Sequence, residues 1–227
     1  MLIGILQCGH FAVVEGFPKR TYTDLYSAML NGHGFTHRTW SVVDMEFPGS
    51  VRDADGWLIS GSKHGAYEDL PFVPPLEDFV REVYAAEVPM VGICFGHQIM
   101  AQALGGRVEK WQGGWSIGRV GYDFGGETLA LNAWHQDQVV AVPDEAEVTA
   151  SSDACAIAGL RYARKAMSVQ PHPEFDAGAV DLLLEARARG VVPDSMIATA
   201  REANALPVAN GEMARRIAEF FKESRNG

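Results

Sequence analysis

The sequence predicts an α/β fold on a mostly parallel central sheet. Three observations carry that expectation. Apolar runs and stretches with helical spacing alternate through the N-terminal half. The runs are continuously apolar, as in strands buried on both faces. Beyond Gly106 the texture changes to short strand-like runs separated by turn residues, which predicts a small antiparallel extension.

Each element has its own justification. LIGILQC (2–8) is a first buried strand. YTDLYSAMLN (22–31) has apolar positions at helical spacing and ends at Asn31-Gly32, a helix stop signal. THRTWSVV (36–43) and WLIS (57–60) are the next strands. PPLEDFVREVYAAE (74–87) opens with prolines and presents Leu76, Phe79, Val80 and Val83 on one helical face. PMVGIC (89–94) is a strand, and FGHQIMAQALGG (95–106) a helix closed by glycines. RVEKW, SIGRVGYDF, TLALN, QVVAV, EVTASS and CAIAGLRY form the extension, and AMSVQ returns to the main sheet. FDAGAVDLLLEARARG (175–190) and MARRIAEFFKES (213–224) are helices. Residues 191–210 give no clear pattern.

Composition narrows the function classes. With 227 residues and 47% apolar content, the chain fits one domain, 1–227. A net charge of -10 with no basic run argues against nucleic acid as a partner. No apolar run approaches the roughly 20 residues that cross a membrane. The short apolar N-terminus has no basic n-region, so it is a strand rather than a signal peptide. Three cysteines, Cys8, Cys94 and Cys155, make a poor disulfide framework and point to a reducing, cytoplasmic setting.

Chemistry concentrates at Gly92-Ile93-Cys94-Phe95-Gly96. Cysteine stands between glycines where a strand turns into a helix, the pattern of a nucleophile elbow. Small neighbours let the backbone pack closely at a strained residue. The turn lifts the thiol to the C-terminal sheet edge, and the helix dipole favours a thiolate there. The Phe95 N–H would face an oxyanion. A lone cysteine is more often a small core residue, but the glycine frame argues otherwise. His172-Pro173-Glu174 follows another apolar strand. His172 could take the thiol proton and Glu174 could orient the ring, since residues two apart on an extended segment share a side. Cys94 and His97 form a C-x-x-H pair, but no second pair of zinc ligands stands nearby. His97 is therefore expected to pack behind the elbow. Cys8 and Cys155 are expected in the core. His10 and His64 are loop residues near the sheet edge. Trp111, Trp115 and Trp134 either line a pocket or pack.

Elbow and HPE in this order resemble the class I glutamine amidotransferases. VGICFGHQIMAQALGG and QPHPEF are similar to that family's two signatures, LISGS (58–62) to its oxyanion segment, and WHQDQV (134–139) to a region beside its substrate. The resemblance implies a flavodoxin-like, doubly wound fold. It also implies Cys94 as nucleophile, His172 as base and Glu174 as its orienter. Gly61 and Ser62 would join Phe95 around the oxyanion. Gln98 would contact bound glutamine, and Trp134, Gln136 and Asp137 would hold its amino-acid end. Gln136 replaces a glycine common in the family. The implied reaction passes through a γ-glutamyl thioester and uses no metal or organic cofactor.

Three readings follow from the resemblance, in order of preference: release of ammonia from glutamine, then cleavage of a γ-glutamyl peptide or amine, then a non-catalytic regulatory subunit. The intact triad favours the first two. No Walker A pattern accompanies the motifs, so a synthetase subunit would be a separate chain. A homodimer is a further arrangement open to it. LISGS and W-x-x-G-W-x-I-G (111–118) look more like stand-alone members, γ-glutamyl peptidases among them.

Overall fold

The computed structural model describes residues 1–226. Five parallel strands form one half of a nine-stranded sheet: β1 (Leu2–Leu6), β2 (Thr36–Trp40), β3 (Gly56–Ile59), β4 (Met90–Ile93) and β11 (Ala166–Val169). Their spatial order is β2-β1-β3-β4-β11, the doubly wound order. The sheet continues through β10 (Cys155–Tyr162), β9 (Ala146–Ser152), β6 (Ser116–Asp123) and β7 (Thr128–His135), all joined by antiparallel pairings. The antiparallel extension thus amounts to four strands. β5 (Arg107–Lys110) and β8 (Asp137–Ala141) make a separate antiparallel pair.

Side chains of the parallel strands alternate between two packed layers. Ile3, Ile5, Leu58, Val91 and Ile93 pack with residues of α1 (Tyr22–Met29), α4 (Ala177–Leu183) and α6 (Asn210–Asn226). Leu6, Trp57, Ile59 and Met90 face α2 (Val73–Ala85) and α3 (Phe95–Ala103). Both faces are covered, so these strands need continuous apolar runs.

Two differences from the sequence-based expectation stand out. Residues 175–190 do not form one regular helix: α4 ends at Leu183, and Leu184–Ala188 form a π-helical turn. The stretch 191–210, patternless in sequence, contains α5 (Asp194–Ala203), which packs on β6 and fully buries only Ala200. Among the described residues, no helix is long and apolar enough to cross a membrane.

Candidate active site

The C-terminal ends of β3, β4 and β11 converge on one edge, and there the elbow forms. Cys94 takes φ 53° and ψ -103°, outside the regions open to ordinary L-residues. Close packing enforces this. A Cβ on Gly92 would lie 2.4 Å from the Gly96 carbonyl oxygen, and one on Gly96 would lie 2.3 Å from that of Ile59. The glycine frame is therefore a steric requirement of the turn.

The thiol lies 3.9 Å from the Trp134 carbonyl oxygen and borders a cleft of about 540 Å³. His172 borders the same cleft. Its backbone N–H donates to the Asn132 carbonyl (2.8 Å), an isolated bridge that fixes the segment after β11. Its Nδ1 is 2.7 Å from Glu174 Oε1, and its ring stacks on Phe175 at 3.9 Å. Both side chains are nearly fully buried. With Nδ1 bound to the carboxylate, Nε2 is the free ring nitrogen. Burial works against a charge on His172. The neighbouring Cys94 and Glu174 outweigh it and raise the imidazole to about 10.

Tyr26 is a member of this centre that the sequence motifs did not disclose. Its hydroxyl donates to Glu174 Oε1 (3.0 Å) and accepts from the Gly61 N–H (3.0 Å). It ties the carboxylate beside His172 to the segment after β3. The Thr21–Asp24 capping box starts α1 at Tyr22, and Tyr22 and Tyr26 then stack one turn apart. Arg20 grips Asp176, the N-cap of α4, at 2.5 and 2.6 Å, which holds the turn after Glu174 against the start of α1.

The remaining expected site residues divide clearly. Phe95 N–H is the first of α3 and has no acceptor within the helix. Ser62 borders the cleft, and its hydroxyl donates to the Cys8 carbonyl. The Gly61 N–H is committed to the Tyr26 hydroxyl rather than free. Gly61 also provides room, because a Cβ there would sit 2.9 Å from His172 Cε1.

Gln98, Trp134, Gln136 and Asp137 all border the cleft. Gln98 Nε2 donates to the Asp137 carbonyl (2.8 Å) and to Gln170 Oε1 (3.1 Å), so part of its role is to fix the cleft wall. The Gln136 side chain donates to the Trp111 carbonyl (3.2 Å). The Asp137 carboxylate accepts from Tyr67 (2.9 Å), and burial raises its pKa.

His97 packs behind the elbow, its nitrogens bound to Ser168 Oγ and the Ile157 carbonyl. Burial lowers it to about 4. Cys8 and Cys155 are core residues, and burial pushes both thiols up. His64 borders the cleft beside Glu68, whereas His10 is exposed and pairs with Asp44. Trp115 and Trp134 meet edge-to-face at the cleft, and Trp111 is exposed beside Gln136. His135 also borders the cleft, with neither nitrogen bonded among the described residues. Burial, then the nearby His172, lowers it to about 3. It is a neutral neighbour.

A fold with a strained thiol, an imidazole and a carboxylate at its parallel-sheet edge has relatives. Residues 33–186 match the model of the glutamine amidotransferase class-I family, and the chain belongs to that family. A glutamine amidotransferase-like protein of Schizosaccharomyces pombe is 30% identical over 225 residues, covering 89% of this chain and 91% of its own. Gamma-glutamyl peptidase 3 of Arabidopsis thaliana is 29% identical, covering 70% and 72%. A glutamine-hydrolysing GMP synthase subunit from Halobacterium salinarum is 34% identical, covering 60% and 75%. A glutamine amidotransferase from Thermotoga maritima has the same fold, with a TM-score of 0.73, 20% identity and coverage of 100% and 98%.

Proposed function

We propose that the protein is a Cys-His-Glu hydrolase that cleaves a γ-glutamyl amide. The observation that carries the reading is Cys94, strained at the elbow, beside a buried imidazole held 2.7 Å from Glu174. In this reading the Cys94 thiol proton passes to His172, giving thiolate and imidazolium. The thiolate attacks the γ-carbonyl, and the oxyanion lies between the N–H groups of Phe95 and Ser62. His172 gives its proton to the leaving nitrogen as the C–N bond breaks, leaving a γ-glutamyl thioester. Neutral His172 then takes a proton from water. The resulting hydroxide attacks the thioester and releases glutamate. The thiolate and imidazolium are restored.

Gln98, Trp134, Gln136 and Asp137 form the wall that would receive the glutamyl group. A cleft of about 540 Å³ falls within the range of drug-sized ligand pockets and leaves room beyond the scissile bond. That room favours a γ-glutamyl peptide or amine over glutamine. A second reading is a chain that supplies ammonia to a separate synthetase. The likeness to a glutamine-hydrolysing GMP synthase subunit favours that reading.

Turnover of glutamine, γ-glutamyl peptides and γ-glutamyl amines by the purified protein tests both. Activity on a bulky leaving group, abolished in folded Cys94→Ala, is the expected result. Preference for glutamine alone would favour the ammonia-supplying reading. Undiminished turnover by Cys94→Ala would remove the nucleophile assignment.

A further inference from the structure

The cleft carries positive charge on a chain whose net charge is -10. Lys63, Lys110, Arg187 and Arg189 border it, against Glu68 and Asp137. Both carboxylates are engaged, Glu68 with His64 and Asp137 with Tyr67. Arg189 pairs with Glu185 at 3.5 Å. Arg187 is half-buried and forms no ion pair among the described residues. One of its nitrogens donates to the His10 carbonyl at 3.2 Å. A guanidinium has five N–H donors, so most of its capacity stays open.

Two further features give Arg187 a direction. It sits in the Leu184–Ala188 π-helical turn, which interrupts the helix begun by α4. Such turns recur at functional sites because the extra residue re-aims the side chains around it. Arg187 also acts on Tyr22, drawing down a hydroxyl pKa that burial raises. Tyr22 Oη and His172 Cε1 both flank the space above Gly61, at 3.2 and 2.9 Å from a Cβ built there. Arg187, Tyr22 and His172 border this same cleft. In the proposed reaction the leaving nitrogen collects its proton there.

We propose that Arg187 binds a carboxylate carried by the leaving group. The substrate class is then a γ-glutamyl amino acid or short γ-glutamyl peptide, not a γ-glutamyl amide of a neutral amine. This inference rests on the hydrolase reading above. Charge-assisted, forked hydrogen bonds to a carboxylate are what a half-buried, unpaired guanidinium is suited to make.

The experiment compares kcat/KM for γ-glutamylglycine and γ-glutamylethylamide, which differ in the leaving group's carboxylate. It uses the full chain, Arg187→Met and Arg187→Lys. The wild-type protein should prefer γ-glutamylglycine. Arg187→Met keeps the aliphatic stem and should reduce that preference by about 10- to 100-fold, the loss of a charge-assisted pair. Arg187→Lys should restore part of it, as a point charge without the fork. Unchanged preference in Arg187→Met would overturn the assignment. So would an equal loss on both substrates, which would place Arg187 on the glutamyl group or in a structural role. A wild-type protein that turns over neither substrate, or does not prefer γ-glutamylglycine, would overturn this inference; only inertness toward glutamine as well would overturn the hydrolase reading.

Discussion

Replacing Gly61 by alanine is a sharp test of how the site is built. The added Cβ would stand 2.9 Å from His172 Cε1 and 3.2 Å from Tyr22 Oη. Carbon atoms rest about 3.5 to 4.0 Å apart, so the imidazole would have to move by roughly 0.6 Å or more. It has little freedom to do so. Phe175 stacks on its face at 3.9 Å, and Glu174 holds Nδ1 at 2.7 Å. Overpacking of this kind costs about 1–3 kcal/mol of stability. A displacement of about 1 Å at the reacting groups costs about 100-fold in rate, so kcat/KM should fall by about 10- to 100-fold. Urea unfolding measures the first effect, and turnover of a γ-glutamyl amide the second. Gly211→Ala is the matched control, since nothing lies within 4 Å of its added methyl. It should leave activity alone and stabilise α6 by about 0.4–1 kcal/mol. A Gly61→Ala protein with wild-type stability and kcat/KM within about twofold of wild type would refute the packing argument.

Tyr26→Phe removes one hydroxyl and two hydrogen bonds, leaving the Gly61 N–H without an acceptor and Glu174 Oε1 with one donor fewer. The urea midpoint should drop by the equivalent of about 1–3 kcal/mol, and turnover should fall with it; no change in either would show that the hydroxyl does not hold the two segments together. The pH dependence follows from His172, whose imidazole is raised from 6.5 to about 10 despite its burial. Its pairing contributes full stability below about 6.5, and that contribution disappears as pH rises through about 10. In the same window kcat/KM should decline, because the imidazolium that protonates the leaving nitrogen is lost. An alkaline limb centred near 6.5 would contradict the raised imidazole.

Much of this arrangement is legible in the sequence because its signals are local. Gly92, Cys94 and Gly96 occupy one turn, and His172 and Glu174 lie two residues apart on one extended segment. Spacing alone therefore gives their geometry. The parallel strands are legible for a similar reason: burial on both faces leaves continuous apolar runs. Tyr26 is not, because its partner Glu174 lies 148 positions away and nothing in YTDLYSAMLN marks that tyrosine. Gly61 matches an oxyanion role because the segment as a whole fits it. Only the contact with Tyr26 shows which N–H is already committed. Arg187 is hidden inside a helical pattern, where one extra residue in a turn leaves no compositional trace. α5 is silent in the sequence because a helix that fully buries only Ala200 needs little apolar periodicity.

The central claim is that Cys94 carries the glutamyl group during turnover. Acid quenching during turnover of a γ-glutamyl amide, followed by peptide mass analysis, tests it directly. The account predicts one γ-glutamyl group on the peptide containing Cys94, absent in Cys94→Ala, with Cys8 and Cys155 unmodified. Sustained turnover with no adduct on Cys94, or an adduct that persists in Cys94→Ala, would contradict it.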